Sequence, residues 1–287
     1  MAAVFQILRF HIVCIASLAT LCFGWLLTGH DAWLAAAACA LDWTLVNVMN
    51  RVADLAEDRI NGVPGVALIE RHGRVFTWAA SAALVGSLAL GFAVVPALAP
   101  HRIAFHAIGL AYNFKLLPTR RGWTRLKETY VWKNVSSAGL FVLSCLLYPA
   151  AVAGFEVSLP RLLWLCAFFF PLELTYEIIY DLRDIAGDKL EDVPTLPVVH
   201  GQAASFKIVE GLLAASAAAL VAGFLLGGLR FRELLLLAAV AQQALFFELR
   251  VKRKVTQADC VLLTYLGAAQ VLSFQLWAWA GLPLGPP

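Results

Sequence analysis

The sequence predicts an all-α polytopic membrane protein, a bundle of about nine transmembrane helices around one central cavity open to the cytoplasmic side. Three observations lead there. The chain of 287 residues is 61% hydrophobic and 14% charged, with a mean hydropathy of +0.77, too apolar for a water-soluble domain. Apolar runs long enough to cross a bilayer recur along its whole length. Two clusters of acids sit where two of those runs end, and carboxylates at a membrane exit call for a cationic partner.

In chain order the expected spans are Val4–Leu27, Trp33–Met49, Phe76–Leu98, Ile103–Leu117, Tyr130–Ala153, Leu162–Tyr180, Ile208–Leu229, Glu233–Leu249 and Val261–Ala280. The fourth is short and carries His106 and Lys115, and the eighth carries Gln242, Gln243 and Glu248, so either is a candidate re-entrant segment. The first run carries Arg9 and His11, is long enough to span and lacks a following small-residue cleavage site, so it reads as a span and not as a cleaved signal. Turn signals fall in the gaps, at Asn61 to Gly65, Pro118, Pro194 and Pro197, and nothing resembles a linker, so residues 1–287 read as a single domain. Lys and Arg crowd the gaps after even-numbered spans, with Arg120, Arg121, Arg125 and Lys127 in the loop after the fourth, whereas the opposite set holds Arg102, Arg161, Arg230 and Arg232. That bias places the N-terminus and both acid clusters on the cytoplasmic side. The expected location is a cell (inner) membrane, crossed many times.

A net charge of +3, with its basic residues confined to loops, gives no support for nucleic-acid binding. Cys14, Cys22, Cys39, Cys145, Cys166 and Cys260 each stand alone in apolar segments and read as packing residues.

The first acid cluster runs from Asn47 to Asp58. At about 100° per residue, Asn47, Asn50, Asp54 and Asp58 fall on one face of a helix, the last three at i, i+4, i+8. In the second, Glu173, Glu177, Asp181, Asp184 and Asp188 also share one face. Carboxylates stacked this way repel unless a cation sits among them. An all-oxygen donor set suits a hard metal, Mg²⁺ above all where phosphates share the coordination sphere. The plainer alternative, a pair of solvated helix ends, accounts less well for two clusters with a common D-x-x-x-D core on the same side of the membrane.

Asn50-x-x-x-Asp54-x-x-x-Asp58 and Asp184-x-x-x-Asp188 resemble the two aspartate-rich motifs of the UbiA superfamily of intramembrane prenyltransferases. Further matches are Gly187-Asp188-Lys189, the run Thr195-Leu196-Pro197-Val198-Val199-His200-Gly201, and Trp132-Lys133-Asn134 with Ser136, Ser137 and Gly139. Tyr112-Asn113-Phe114-Lys115 stands one residue short of the family's usual Tyr-x-x-x-Lys. The second cluster has Tyr180 where the first has Asn50, and Asp181 is an additional acid, which leaves open which of Asp181 and Asp184 meets metal.

The resemblance implies a Mg²⁺-dependent transferase that moves a prenyl group from a prenyl diphosphate to an aromatic or other lipophilic acceptor within the bilayer. Its metal ligands would be Asp54, Asp58, Asp184 and Asp188, with Lys115 steadying the departing diphosphate. The substrate-contacting set would be Asn50, Arg51, Tyr112, Lys133, Asn134, Tyr180, Asp181 and Lys189. Glu173 and Glu177 lie deeper, where a carboxylate is costly, and are candidates for a substrate contact or for a structural pairing. Arg9, His11, Asp42 and His106 stand open in the same way. Two other functions use similar residues. A membrane terpene cyclase would share the diphosphate and its ionisation, and an ion-coupled transporter would place its acids nearer the bilayer midplane. The acceptor, the prenyl chain length and the oligomeric state are not legible in the sequence.

Overall fold

The computed structural model describes residues 7–60, 62–63, 65–119 and 122–281, with the side chain of Glu57 also left aside. Asn61 and Pro64 in the gap after the second expected span, Arg120 and Arg121 in the gap after the fourth, and the first residues of the expected span Val4–Leu27 lie outside the described residues. Among the described residues the chain forms α1 (Phe10–Thr28), α2 (Trp33–Ala53), a short α3 (Leu55–Ile60), α4 (Val66–Val94) and α5 (Ala99–Asn113). After a small hairpin of β1 (Leu117–Thr119) and β2 (Gly122–Thr124) come α6 (Trp132–Val152), α7 (Leu159–Leu190), α8 (Leu196–Leu225), α9 (Phe231–Val251) and α10 (Gln257–Trp279).

Helices dominate because a bilayer offers backbone N–H and C=O groups no partner outside the segment itself. Seven of them are long and apolar enough to cross a membrane: α1, α4, α6, α7, α8, α9 and α10. The second and fourth expected spans correspond to α2 and α5. α2 has 21 residues but carries Asp42, Asn47, Asn50 and Arg51, and α5 has only 15 residues with Arg102 and His106. Polar groups and shortness lower their hydropathy because both helices line the interior, where other helices satisfy those groups.

Helices adjacent in sequence pack against each other, and α10 closes the bundle on α1. The core is aromatic where α1, α2, α6 and α7 meet. Phe23 packs edge-on against Phe169 with ring centroids 4.7 Å apart, and Trp43 lies 4.3 Å from Phe141. Close approach of α5 to α2 depends on Gly109, where an added Cβ would stand 2.8 Å from Val46 Cγ2. α4 is different: only Ile69 and Ala80 are buried along it, so most of its surface is left to lipid. Its far end is held by Arg102, which donates through Nη1 to the Ser87 carbonyl at 2.8 Å.

Arg102 belongs to a buried knot around Asp42. Its Nε and Nη2 donate to the two Asp42 oxygens at 2.9 and 2.5 Å, His106 Nε2 lies 2.9 Å from Oδ1, and the Tyr148 hydroxyl donates to Oδ2 at 2.8 Å. Asp42 and His106, both left open by the sequence, are therefore structural pairing residues. α6 contains one π-helical turn, Leu143–Leu147, which holds Ser144 where Trp43 Nε1 donates to its Oγ at 3.0 Å.

Candidate functional site

Two cavities lie end to end inside the bundle. The outer one is charged and the inner one mostly apolar, and they share Arg9, Asn50, Tyr112, Glu177 and Tyr180 as wall residues. The outer chamber collects acids from both clusters, Asp54 and Asp58 on one side and Asp181 and Asp184 on the other, together with Lys127, Lys133, Arg51 and Arg183. Both clusters thus meet at one site, which requires them to leave the bundle on the same side.

The first cluster does not continue as one uninterrupted helical stripe. α2 ends at Ala53, and Asp54 (φ −102°, ψ 19°) forms a kink before α3 carries Asp58. Asn50 Nδ2 donates to Asp54 Oδ2 at 2.6 Å and to Asn113 Oδ1 at 2.8 Å, while Arg51 Nη1 donates to Asp58 Oδ2 at 2.8 Å. The second cluster stays inside α7, a continuous helix of 32 residues. There Asn134 Nδ2 donates to Asp181 Oδ2 at 2.7 Å, and Lys133 Nζ bridges Asp181 at 2.8 Å and Asp188 at 3.3 Å. Asp184 is gripped by its neighbour Arg183, whose guanidinium carbon also lies 4.8 Å over the Tyr180 ring.

The segment between α5 and α6 works as a strap over the first cluster. β1 and β2 pair Pro118 with Trp123, and a single helical turn, Leu126–Glu128, then drops Lys127 into the chamber. Lys127 Nζ donates to Asp54 Oδ1 at 2.6 Å and Arg125 Nη1 reaches the same oxygen at 3.2 Å. Glu128 fixes the turn, accepting from Thr124 Oγ1 at 2.6 Å, the Arg125 backbone N–H at 3.0 Å and Arg125 Nε at 2.6 Å. Burial pushes the Glu128 carboxyl upward, but these hydrogen bonds and the Arg125 charge hold it down at about 2.

Four expected site residues line neither cavity: Asn134 and Asp188 are buried behind Asp181 and Lys133, whereas Lys115 and Lys189 are not brought to the chamber at all. Lys115 is exposed and lines neither cavity, because α5 ends at Asn113 and Phe114 is extended (φ −120°, ψ 152°), which turns the following residue outward. Lys189 is exposed for a simpler reason: it follows Asp188 on α7, about 100° around the helix from it. Lys127, which the sequence offered only as one of several loop cations, occupies the position expected of Lys115. Its signal was weak, since no helical register relates a short loop turn to the acids. Arg9 and His11 line the outer chamber, and Arg9 the inner one as well.

The inner chamber is walled by α1, α2, α5, α6, α7 and α10. Ile12, Ile15, Trp43, Val46, Leu140 and Phe141 supply its apolar wall. Two carboxylates face it, Glu173 and Glu177, the latter accepting from Ser137 Oγ at 2.8 Å.

The donor set fits a hard divalent cation. Carboxylate and amide oxygens from both clusters line one chamber, although among the described residues no three acids stand close enough together to hold a metal as they are, and one oxygen of each cluster is buried without a donor. These are Asn50 Oδ1 and Asp188 Oδ2, the latter with the Thr195 hydroxyl beside it. Acids interleaved with Lys and Arg also suit a ligand that brings both a divalent cation and phosphoryl oxygens.

A helical membrane protein whose charged vestibule opens directly onto a greasy interior has the fold and site of an enzyme acting on an amphiphile with a highly charged head. The chain belongs to the UbiA prenyltransferase family, whose pattern it matches over residues 10–279. It is similar to the digeranylgeranylglyceryl phosphate synthase of Methanopyrus kandleri, 28% identical over 181 residues; the match covers 61% of this chain and 58% of that protein's length. In fold it is similar to a UbiA homolog from Archaeoglobus fulgidus bound to DMAPP and Mg²⁺, with a TM-score of 0.73 and 18% identity over 96% of this chain and 99% of that one. The same homolog bound to GPP and Mg²⁺ gives a TM-score of 0.72 at 18% identity, over 97% and 99% of the two chains.

Proposed function

We propose that this protein is a Mg²⁺-dependent intramembrane prenyltransferase, taking a prenyl group from a prenyl diphosphate and joining it to a lipophilic acceptor. Its outer chamber would face the cytoplasm, in keeping with the loop charge bias. The observation that carries the proposal is the union of two acid clusters and five basic side chains, Arg9, Arg51, Lys127, Lys133 and Arg183, in one chamber that is continuous with an apolar one. The relatives named above support it.

The residues divide the work. Asp54, Asp58, Asp181, Asp184 and Asp188, with Asn50, would hold the metal, which supplies Lewis-acid neutralisation of the leaving diphosphate. Lys127, Lys133, Arg51 and Arg183 now hold carboxylates, and from the same positions their N–H groups can turn to phosphoryl oxygens. Tyr112 and Tyr180 stand where the two chambers join, and there they would flank the carbon that becomes electron-poor as the allylic C–O bond breaks. Aromatic faces there, with Trp43 and Phe141 further in, favour a passing cation over bulk water. The isoprenoid tail would lie along the inner apolar wall.

The test is direct. Purified protein with geranyl or geranylgeranyl diphosphate should release diphosphate and prenylate an acceptor with Mg²⁺ present, stop with EDTA, and resume when Mg²⁺ is restored. Full turnover in EDTA would exclude the metal role, and a cyclic hydrocarbon made from donor alone would point to a cyclase.

A further inference from the structure

The end of the bundle away from the charged chamber carries few cations in the sequence: Arg102, Arg161, Arg230 and Arg232. Arg102 is taken by Asp42. The other three gather where the start of α7 meets the turn between α8 and α9 and the end of α1, with Glu233 as their shared acid.

Both oxygens of that acid are already engaged. Glu233 Oε1 accepts from Arg232 Nε at 2.7 Å, and Oε2 accepts from the Arg230 backbone N–H at 2.7 Å. Arg232 is committed as well, since its Nη2 donates to the Leu26 carbonyl at 2.7 Å and its guanidinium carbon lies 5.2 Å from the centre of the Trp25 ring. Arg161 is left over. Its buried Nε stands 3.8 Å from Glu233 Oε1, beyond hydrogen-bond reach, and its guanidinium makes no hydrogen bond with any described residue. Arg230 is exposed, and its charge and that of Arg232 both act on Arg161. The acid nearest to Arg161 in sequence, Glu156, is exposed and forms no ion pair with a described residue.

Three guanidinium groups around one carboxylate leave positive charge that a half-buried site holds only with a further anion. The site is also fixed in shape. Trp164, one turn along α7 from Arg161, packs against the glycines of the α8–α9 turn, and an added Cβ at Gly223 would stand 2.9 Å from its Cγ. Position selects the anion. Trp25 and Trp164 are residues of the kind that mark a bilayer surface, and Leu225, Leu226 and Phe231 stand exposed beside the arginines. A phosphate arriving there with acyl chains meets both its charge partner and its apolar support.

We infer that Arg161, Arg230 and Arg232 form a binding site for the phosphate of an anionic phospholipid, in the leaflet at the end of the bundle away from the charged chamber. Arg161 and Arg230 donate to the phosphate, and their planar forks match its oxygens. Arg232, held by Glu233 and the Leu26 carbonyl, supplies a fixed charge behind them. The headgroup thereby ties the end of α1 to the starts of α7 and α9. A zwitterionic lipid fits less well, because its own ammonium competes with the arginines for the phosphate.

The experiment reads the thermal unfolding midpoint of the purified protein in detergent with dioleoyl phosphatidylglycerol, dioleoyl phosphatidylcholine or inorganic phosphate. Phosphatidylglycerol should raise the midpoint by at least about 4 °C more than phosphatidylcholine, the scale of a ligand near saturation, and inorganic phosphate by less than about 1 °C. Arg161→Gln and Arg230→Gln should each remove at least about half of that gain while keeping the lipid-free midpoint within about 2 °C of wild type. Lys254→Gln, in the exposed loop between α9 and α10, should keep the gain and so separates this site from the basic loops at the other end. Equal gains from the two lipids, a gain matched by inorganic phosphate, a gain kept in full by both arginine variants, or one lost equally in Lys254→Gln would overturn the inference. A lipid-free midpoint lowered by more than about 5 °C in both arginine variants would overturn it too, because the arginines would then serve the fold without a lipid.

Discussion

The two acid clusters face each other across one chamber but are built differently. The second lies within α7, where a single continuous helix fixes Asp181, Asp184 and Asp188 relative to Glu173 and Glu177 far below. The first is divided at Asp54, so Asn50 is set by α2, Asp58 by α3, and Asp54 by a strap from another part of the chain, through Lys127 and Arg125. One side of the site is therefore a rigid rail and the other an assembly of separately held parts. Charge placed on the assembled side should respond to changes in its supports, and charge on the rail should not.

The largest effect tests both sides alike. Asp54→Ala and Asp181→Ala should each reduce prenyl transfer by at least about a hundredfold, because each removes oxygen donors from the charged chamber. A difference between them above tenfold would show that the two clusters carry unequal shares. Asp42→Ala comes next. It strips the buried Arg102 guanidinium of its carboxylate in the helix that supports the first cluster, and should cost about 3–5 kcal/mol, read as a lower midpoint for thermal or denaturant unfolding in detergent. A shift below about 1 kcal/mol would mean that the knot does not brace α2.

Lys127→Ala should slow turnover by roughly tenfold to a thousandfold, whereas Lys115→Ala should leave it within about a factor of two. The reverse order would return the role to Lys115 and remove the strap from the site. The smallest effect concerns Glu128. Its folded-state carboxyl sits at about 2, below the ordinary value of 4.5, so its contribution to the strap is complete above about pH 4.5 and is lost as the pH falls towards 2. Glu128→Gln should therefore lower stability at pH 7 by ~1 kcal/mol or less after solvent screening, and the difference from wild type should shrink on acidification. A gap that widened in acid would contradict that sign.

This contrast also explains what the sequence could and could not reveal. Helical register predicts which residues share a face, so the second cluster, which never leaves its helix, was legible down to the depth of Glu173. Lys133 and Asn134 were legible too, since α6 begins at Trp132 and carries them directly towards Asp181. The kink at Asp54 was not, because nothing in Arg51-Val52-Ala53-Asp54-Leu55 marks a helix end. Lys115 was misplaced for a related reason. The Tyr112 spacing has meaning only if α5 continues past Asn113, and it stops there. Lys127 reaches Asp54 through a hairpin and a single turn, and contacts between a loop and a distant helix leave no periodic trace. Asp42, Arg102 and His106 were visible as polar residues in apolar runs, but which of them pair depends on how α2, α5 and α6 come together in three dimensions.

The π turn at Leu143–Leu147 sets the phase of α6. Above it the helix offers Asn134 and Ser137 to the chambers, and below it Tyr148 to the Asp42 knot. A π turn holds one residue more than an α turn and takes that residue up within the turn; the same sequence wound as plain α-helix would rotate one half of the helix by about 100° against the other. Either the site or its brace would then lose its side chains, although every hydrophobic residue of the span would remain. Residues 143–147 thus act as a slip joint that keeps two halves of one helix in phase.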